Sequence, residues 1–319
     1  MTQPRYRSPP RETTLTRVGL LLGVSLLRAV FWLLRRLPED RALAFAHGVS
    51  RVLGVPLKAA RRRTQQIVFT DGDTGFEALE QQHTAYLARL RLHIARLPVE
   101  SPRTMGERVS FEGLEHLAAA RDQHRGVLIV SGHVGTWLHV PTALAGRGFP
   151  MLFFVNPHLP GLAGMMDSMA SRYGFSLAHV GADAHAAARD HFRSGGLLHV
   201  TIDATVHPER SVWLRFGQSE LLVDPGPAVL ALRHRVPVVR ASAFHDAAGH
   251  SCVRLSPPML VGPGTTWTRA EPLMQHWLDC LWSDVSAHPA QWWPIAYVQV
   301  RRPLAVVAKI APPTVVSTR

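Results

Sequence analysis

The chain has 319 residues, 46% hydrophobic and 18% charged, enough apolar material for one large α/β domain and more than a typical soluble domain carries. Its formal charge of +12 favours acidic partners such as anionic lipid or an acidic carrier protein, although nearly all of it is arginine (Lys58 and Lys309 are the only lysines), which coding bias would also produce. A nucleic-acid module is excluded by the lack of zinc-finger spacing, aromatic RNA-stacking motifs and helix-turn-helix signals, and the two cysteines, Cys252 and Cys280, make neither a disulfide framework nor a metal set.

In chain order, residues 1–14 are polar and rich in Pro and Arg, and read as disordered. Residues 15–37 are apolar over about one bilayer thickness but are interrupted by Arg17 and Arg28. They read as a membrane-associated helix, either spanning or interfacial. Residues 38–100 show apolar positions at helical spacing and close at Pro98 and Pro102. Arg61, Arg62 and Arg63 mark a solvated or membrane-facing surface there.

From 101 to 319 the texture becomes an alternation of strands and helices. Apolar runs at 126–132, 150–155, 175–180 and 196–203 read as buried strands, with helices between them at 137–147, 160–173 and 183–194. Further strands are expected at 211–216, 237–244 and 251–256, and helices after Asp224 and at 269–287. This order predicts an α/β fold with a mostly parallel or mixed sheet flanked by helices.

In open α/β sheets, ligands bind beyond the carboxyl ends of strands. That rule selects His133, after the run 126–132, and Asp203, at the end of 196–203. His133 sits between Gly132 and Gly135, which permit tight turns and close approach of a ligand. A helix starting just after it would offer free amides to an oxyanion. With 18 histidines in the chain, any one is far more often structural, and His133 stands out by position alone. His139 reads as structural, Asp224 as a helix cap, and no metal site or cofactor is expected.

The segment FEGLEHLAAARDQHRGVLIVSGHVGTW (111–137) resembles the signature region of the lipid A biosynthesis late acyltransferases, in the lysophospholipid acyltransferase superfamily. Gly113, Glu115, His116 and Leu117 match one family element, and His133, Gly135 and Trp137 match the next. Four further pieces follow the family order: RRRTQQIVF at 61–69, HVTIDATVHPERSVWLRFGQ at 199–218, DPGPAVLALRHRVPVVRA at 224–241 and HPAQWWP at 288–294. The resemblance implies a glycerolipid acyltransferase-like fold at the cytoplasmic face of the inner membrane. It also implies transfer of an acyl group from acyl carrier protein or CoA to a hydroxyl of a lipid or glycolipid acceptor. His133 would be the general base, with Gly135, Trp137 and Arg172 contacting substrate. No cofactor or metal is implied.

The sequence departs from that family at its acid. The carboxylate expected five positions after the histidine is replaced by Leu138, the neighbouring Asn by Thr136, and no arginine follows the run 150–155, which continues Asn156-Pro157. Three readings compete: an active enzyme in which Asp203 orients His133, a degenerate homologue that binds lipid or carrier protein without turnover, and an acyl-type transferase acting on a natural-product acceptor.

Overall fold

The computed structural model describes residues 14–69, 75–122, 126–155, 162–180, 184–205, 208–245, 250–296 and 298–303. Most of the expected disordered N-terminus, and Asn156-Pro157, lie outside them. The N-terminal third is helical: α1 (Thr14–Arg36), α2 (Glu39–Gly54), α3 (Lys58–Val68), α4 (Phe76–Arg96) and α5 (Pro102–Arg108). The sequence then alternates as β1 (Val109–Glu112), α6 (Leu114–Arg121), β2 (Val127–Ser131), α7 (His139–Gly146), β3 (Met151–Val155), α8 (Leu162–Tyr173), β4 (Ser176–His179), α9 (Ala184–Arg193) and β5 (Leu197–Thr201). It closes with β6 (Val212–Phe216), β7 (Ser219–Val223), α10 (Gly226–His234), β8 (Val238–His245), β9 (Ser251–Leu255), α11 (Ala270–Ala287) and the short β10 (Val300–Arg301).

Seven strands form the main sheet in the order β1-β9-β8-β2-β5-β3-β4. Five neighbouring strands, β8 to β4, run parallel. The return from β8 to β9 is antiparallel, and β1 pairs parallel with β9 at the edge. This is the mixed, mostly parallel sheet that the strand–helix alternation predicts. A small antiparallel sheet, β10-β7-β6, stands apart.

β2 is buried along its whole length because helices cover both faces of the sheet. Its alternate residues feed two different apolar clusters. Leu128 and Val130 belong with Phe192 of α9, Ala228 of α10 and Leu278 of α11. Val127 and Ile129 belong with Leu144 of α7, Met169 of α8 and Leu117 of α6. Each such side chain contributes about 1.5–3 kcal/mol on burial, so a one-residue slip in β2 would exchange its two faces.

The N-terminal helices pack through Leu34, Ala42, Ala46, Ala88, Leu92 and Ala95. Among the described residues no helix is long and apolar enough to cross a membrane. The spanning form expected of α1 is therefore not supported. Its arginines lower its hydropathy, and its last turns, with Leu34 fully buried, pack on α2 and α4. The helix expected at 137–147 forms as α7, from His139 to Gly146. It does not start directly after His133, because Gly135 has φ of +61° and turns the chain out of the helical path.

Candidate active site

Strands β2 and β5 are neighbours, with Val127 opposite Leu197 and Ser131 opposite Thr201. Carrying that register two residues past both carboxyl ends sets His133 opposite Asp203. The bond from the Ile202 amide to the Ser131 carbonyl, 2.9 Å, holds the register through the first extra step. The side chains meet: His133 Nδ1 lies 2.7 Å from Asp203 Oδ1. The backbone N–H of His133 also donates to both carboxylate oxygens, at 3.1 and 2.9 Å.

Asp203 is fully buried. Its fourth bond comes from the indole Nε1 of Trp292, 3.0 Å from Oδ2. Burial alone would lift the carboxyl, but the charge of the His133 ring, its two N–H donors and the Trp292 indole outweigh it. They hold Asp203 below the usual carboxylate range. The acid is therefore an anion at neutral pH, poised against an imidazole that remains 12% exposed.

The loop carrying His133 is clamped from three directions. Val134 bridges to Trp292, the Gly135 amide donates to the Gln291 carbonyl at 3.0 Å, and the Trp293 amide donates to the His133 carbonyl at 2.9 Å. From β8, the Ala243 carbonyl accepts from the Thr136 amide at 2.8 Å. From α4, the Tyr86 hydroxyl donates to the Gly135 carbonyl at 2.9 Å. These bonds use the amides of Gly135 and Thr136, which the sequence reading offers to an oxyanion. A Cβ at Gly135 would stand 2.0 Å from the Ala243 oxygen, so this glycine serves close packing.

Two aromatic rings flank the imidazole. Trp137 lies edge-to-face with a centroid separation of 4.7 Å, and Trp293 lies at 5.4 Å. The Trp137 Nε1 is buried and has no partner among the described residues, an uncommon state for a buried donor. Below the loop, His199 Nε2 contacts Ser131 Oγ at 2.8 Å. Burial, and then the charge of His133, push that ring to about 3, so His199 is neutral.

The structure thus brings together His133, Asp203, Trp137 and Gly135. It does not bring Arg172 to them: this exposed side chain at the end of α8 donates through Nε to the Pro98 carbonyl, at 2.9 Å. Leu138, at the position of the missing acid, is 4% exposed and belongs to the apolar cluster of α7. Sequence reasoning missed Tyr86, Trp292 and Trp293 as parts of the site. Gln291-Trp292-Trp293 stands out in the sequence only through the C-terminal resemblance, and nothing local signals that it returns to His133.

Comparison with known proteins identifies the class. Residues 11–296 match the family model described as bacterial lipid A biosynthesis acyltransferase. The chain belongs to that family, whose chemistry is acyl transfer in lipid biosynthesis. Among curated proteins, none matches the chain. Among solved structures, it is similar to the 1-acyl-sn-glycerophosphate acyltransferase of Thermotoga maritima, at 14% identity over 76% of this chain and 99% of that one. The TM-score is 0.37, too loose a superposition to carry any inference.

Proposed function

We propose that this member of the lipid A biosynthesis acyltransferase family moves a fatty acyl group from the thioester of acyl carrier protein, or of CoA, to a hydroxyl of a lipid or glycolipid acceptor. The observation that carries the reading is the 2.7 Å contact of His133 Nδ1 with Asp203. An ionised carboxylate there accepts the Nδ1 proton, which leaves Nε2 with its lone pair free for a substrate. The acceptor hydroxyl gives its proton to Nε2 as its oxygen attacks the thioester carbonyl carbon. The carbon–sulfur bond then breaks, and the departing sulfur takes the proton from Nε2 and leaves as a thiol. Asp203 stabilises the imidazolium between these two transfers, as the orienting acid does in hydrolytic triads.

Trp137 Nε1 is the donor we assign to the acyl carbonyl oxygen, since a buried N–H without a partner gains most from one supplied by substrate. The degenerate reading rests on Leu138. Asp203 removes its motive by supplying a carboxylate from the neighbouring strand end. We place the chain at the cytoplasmic face of the inner membrane. There α1 would lie in the interface, with Leu26, Leu27 and Trp32 exposed on a helix that also carries Arg28 and Arg36.

Mass spectrometry of lipid extracts from one host expressing wild type or His133→Ala at equal abundance tests the reading. A species heavier by one acyl group is expected with the wild type only. Identical profiles would remove the lipid acceptor and leave soluble natural-product hydroxyls or amines to be searched.

A further inference from the structure

A cleft lies where the N-terminal helices meet the turn that carries Trp293. Its enclosed volume is about 20 Å3, and the rest of it opens to solvent. Leu53, Leu57 and Leu87 supply its apolar lining, and Arg61, Arg91 and His83 its polar lining. Among the described residues that line it, none is acidic. Trp293 also lines it, and the same ring lies 5.4 Å from the imidazole of His133. One side chain therefore belongs to both the cleft and the dyad.

The cations are held in place. Arg61 is only 4% exposed, pairs with Glu80 through Nε at 2.8 Å and through Nη2, and donates to the Gly54 carbonyl at 3.1 Å. Arg91 donates to the Ser50 hydroxyl. His83 is fixed by its Nδ1 contact with the Ala290 carbonyl, 2.8 Å. Burial is the largest influence on its ring and, with the charges of Arg61 and Arg91, pushes it to about 4 against that carbonyl and Glu80. It is thus a neutral lining group at pH 7. At the end of α2, Val52, Leu53 and Val55 are 71%, 48% and 72% exposed, so the approach beside Leu53 is apolar.

Arg61 is matched by Glu80, which leaves Arg91, with leucines around it, as the cation of a site for an anion attached to hydrocarbon. Guanidinium pairs bidentately with phosphate oxygens, and the leucines take methylenes. We infer that this cleft binds the phosphate-bearing end of an amphiphilic acyl substrate, with the phosphate on Arg91 and the adjoining chain on Leu53, Leu57 and Leu87. The shared ring of Trp293 then couples occupation of the cleft to the surroundings of His133. From the proposed function the inference takes only that the substrates are acyl amphiphiles. The phosphate has two sources in that reaction, the headgroup of the acceptor lipid or the phosphodiester arm of the donor.

Equilibrium binding to the full chain, with each probe offered alone so that no acyl transfer is possible, tests this without recourse to the base assignment. The probes are two matched pairs, the lipids below their micellar concentrations: 1-lauroylglycerol 3-phosphate against 1-lauroylglycerol, and 4′-phosphopantetheine against pantetheine. In one pair the phosphorylated member should bind at least about tenfold more tightly. Arg91→Gln should abolish that preference, and Leu53→Trp, at an exposed position at the cleft, should weaken it without a packing cost. A preference within the lipid pair assigns the cleft to the acceptor headgroup, and one within the pantetheine pair assigns it to the donor arm. Equal binding within both pairs overturns the inference, as does a preference that persists in Leu53→Trp and in any folded Arg91→Gln protein. If His133→Ala abolishes acyl transfer while the preference is unchanged, the two proposals stand. If His133→Ala leaves transfer intact, the base assignment fails and the cleft result is unaffected.

Discussion

At the scale of single residues, the site turns on one carboxylate reaching the imidazole from a neighbouring strand end. Asp203→Asn keeps the shape of the side chain but removes the charge that fixes the Nδ1 proton and balances the imidazolium. The expected result is a fall of about 10³–10⁴ in kcat, the scale seen when the orienting acid of a hydrolytic triad is neutralised, with KM for both substrates changed far less. A kcat within a few-fold of wild type would show that Asp203 serves the fold alone. Leu138→Glu restores the acid that the family pattern expects, but in the wrong surroundings. Leu138 is 4% exposed among apolar neighbours, so an unpaired carboxyl there should cost about 3 kcal/mol or more. Chemical melts should show that loss with no gain in acyl transfer. An undiminished midpoint together with a raised kcat would mean that position 138 reaches His133 after all, and that Asp203 is the substitute of the two.

At the scale of elements, the loop after β2 is a rigid shelf braced by α4, β8 and the Gln291–Trp293 turn. The Tyr86 hydroxyl is the α4 brace, and Tyr86→Phe leaves the Gly135 carbonyl without its donor in a buried setting. The expected loss is about 1–3 kcal/mol, read from urea midpoints. A variant that melts like wild type would show that α4 merely covers the loop. The same elements explain what was legible in the sequence. The parallel strands are buried on both faces, so they stand out as continuous apolar runs: β2 falls inside 126–132 and β5 inside 196–203. His133 and Asp203 followed from strand ends, but their pairing depends on β2 and β5 being neighbours, which is a matter of sheet order. β1, four residues at the sheet edge, carries no comparable run. β7 had a usable signal, the Gly217-Gln218 turn joining it to β6, in the two-residue hairpin style. The bond from Trp292 to Asp203 spans 89 residues, and no local pattern encodes it. The run of residues 15–37 has the length of a membrane span, but its arginines leave it short of the apolarity a span needs, and its packing through Leu34 on α2 and α4 is a tertiary feature that the run itself does not show.

At the scale of the whole molecule, the buried histidines govern how the fold responds to acid. His83, His93, His139 and His199 are all pushed below the ordinary imidazole range, in each case first by burial: His83 to about 4, His139 and His199 to about 3. Neighbouring positive charge adds to the effect at His93 and His139, which face one another, His245 and Arg108, with Arg96 also near His93. Nδ1 of His93 lies 3.3 Å from Nε2 of His139. The other nitrogen of His139 contacts the Ser251 hydroxyl at 2.8 Å, so α4, α7 and the β8–β9 hairpin meet at uncharged rings. These groups are neutral in both folded and unfolded chains above pH ~6.5 and make no difference to stability there. Below that pH the unfolded chain takes up protons that the folded chain refuses until its own, lower pKa values are reached. Stability must therefore fall as the pH drops through this window, by about 1.4 kcal/mol per unit for each group, or about 5 kcal/mol per unit for the four together. Asp203 has the same sign of dependence, but its contribution is lost only as the pH falls into and below the ordinary carboxylate range, about 4. Glu100 and Asp284, whose carboxyls are raised by burial, oppose the trend, since the folded chain binds their protons more readily. They begin to do so only above that same carboxylate range and are fewer. Against an ordinary domain stability of about 5–15 kcal/mol, the histidine slope alone should remove a large part of the stability within about two units of pH 6.5. Urea midpoints followed by far-ultraviolet circular dichroism should thus be level from pH 8 to 7 and fall steeply between pH 6 and 5. A midpoint that stays level to pH 5 would mean that water reaches these rings in the folded chain and that the joint between α4, α7 and the β8–β9 hairpin is not dry.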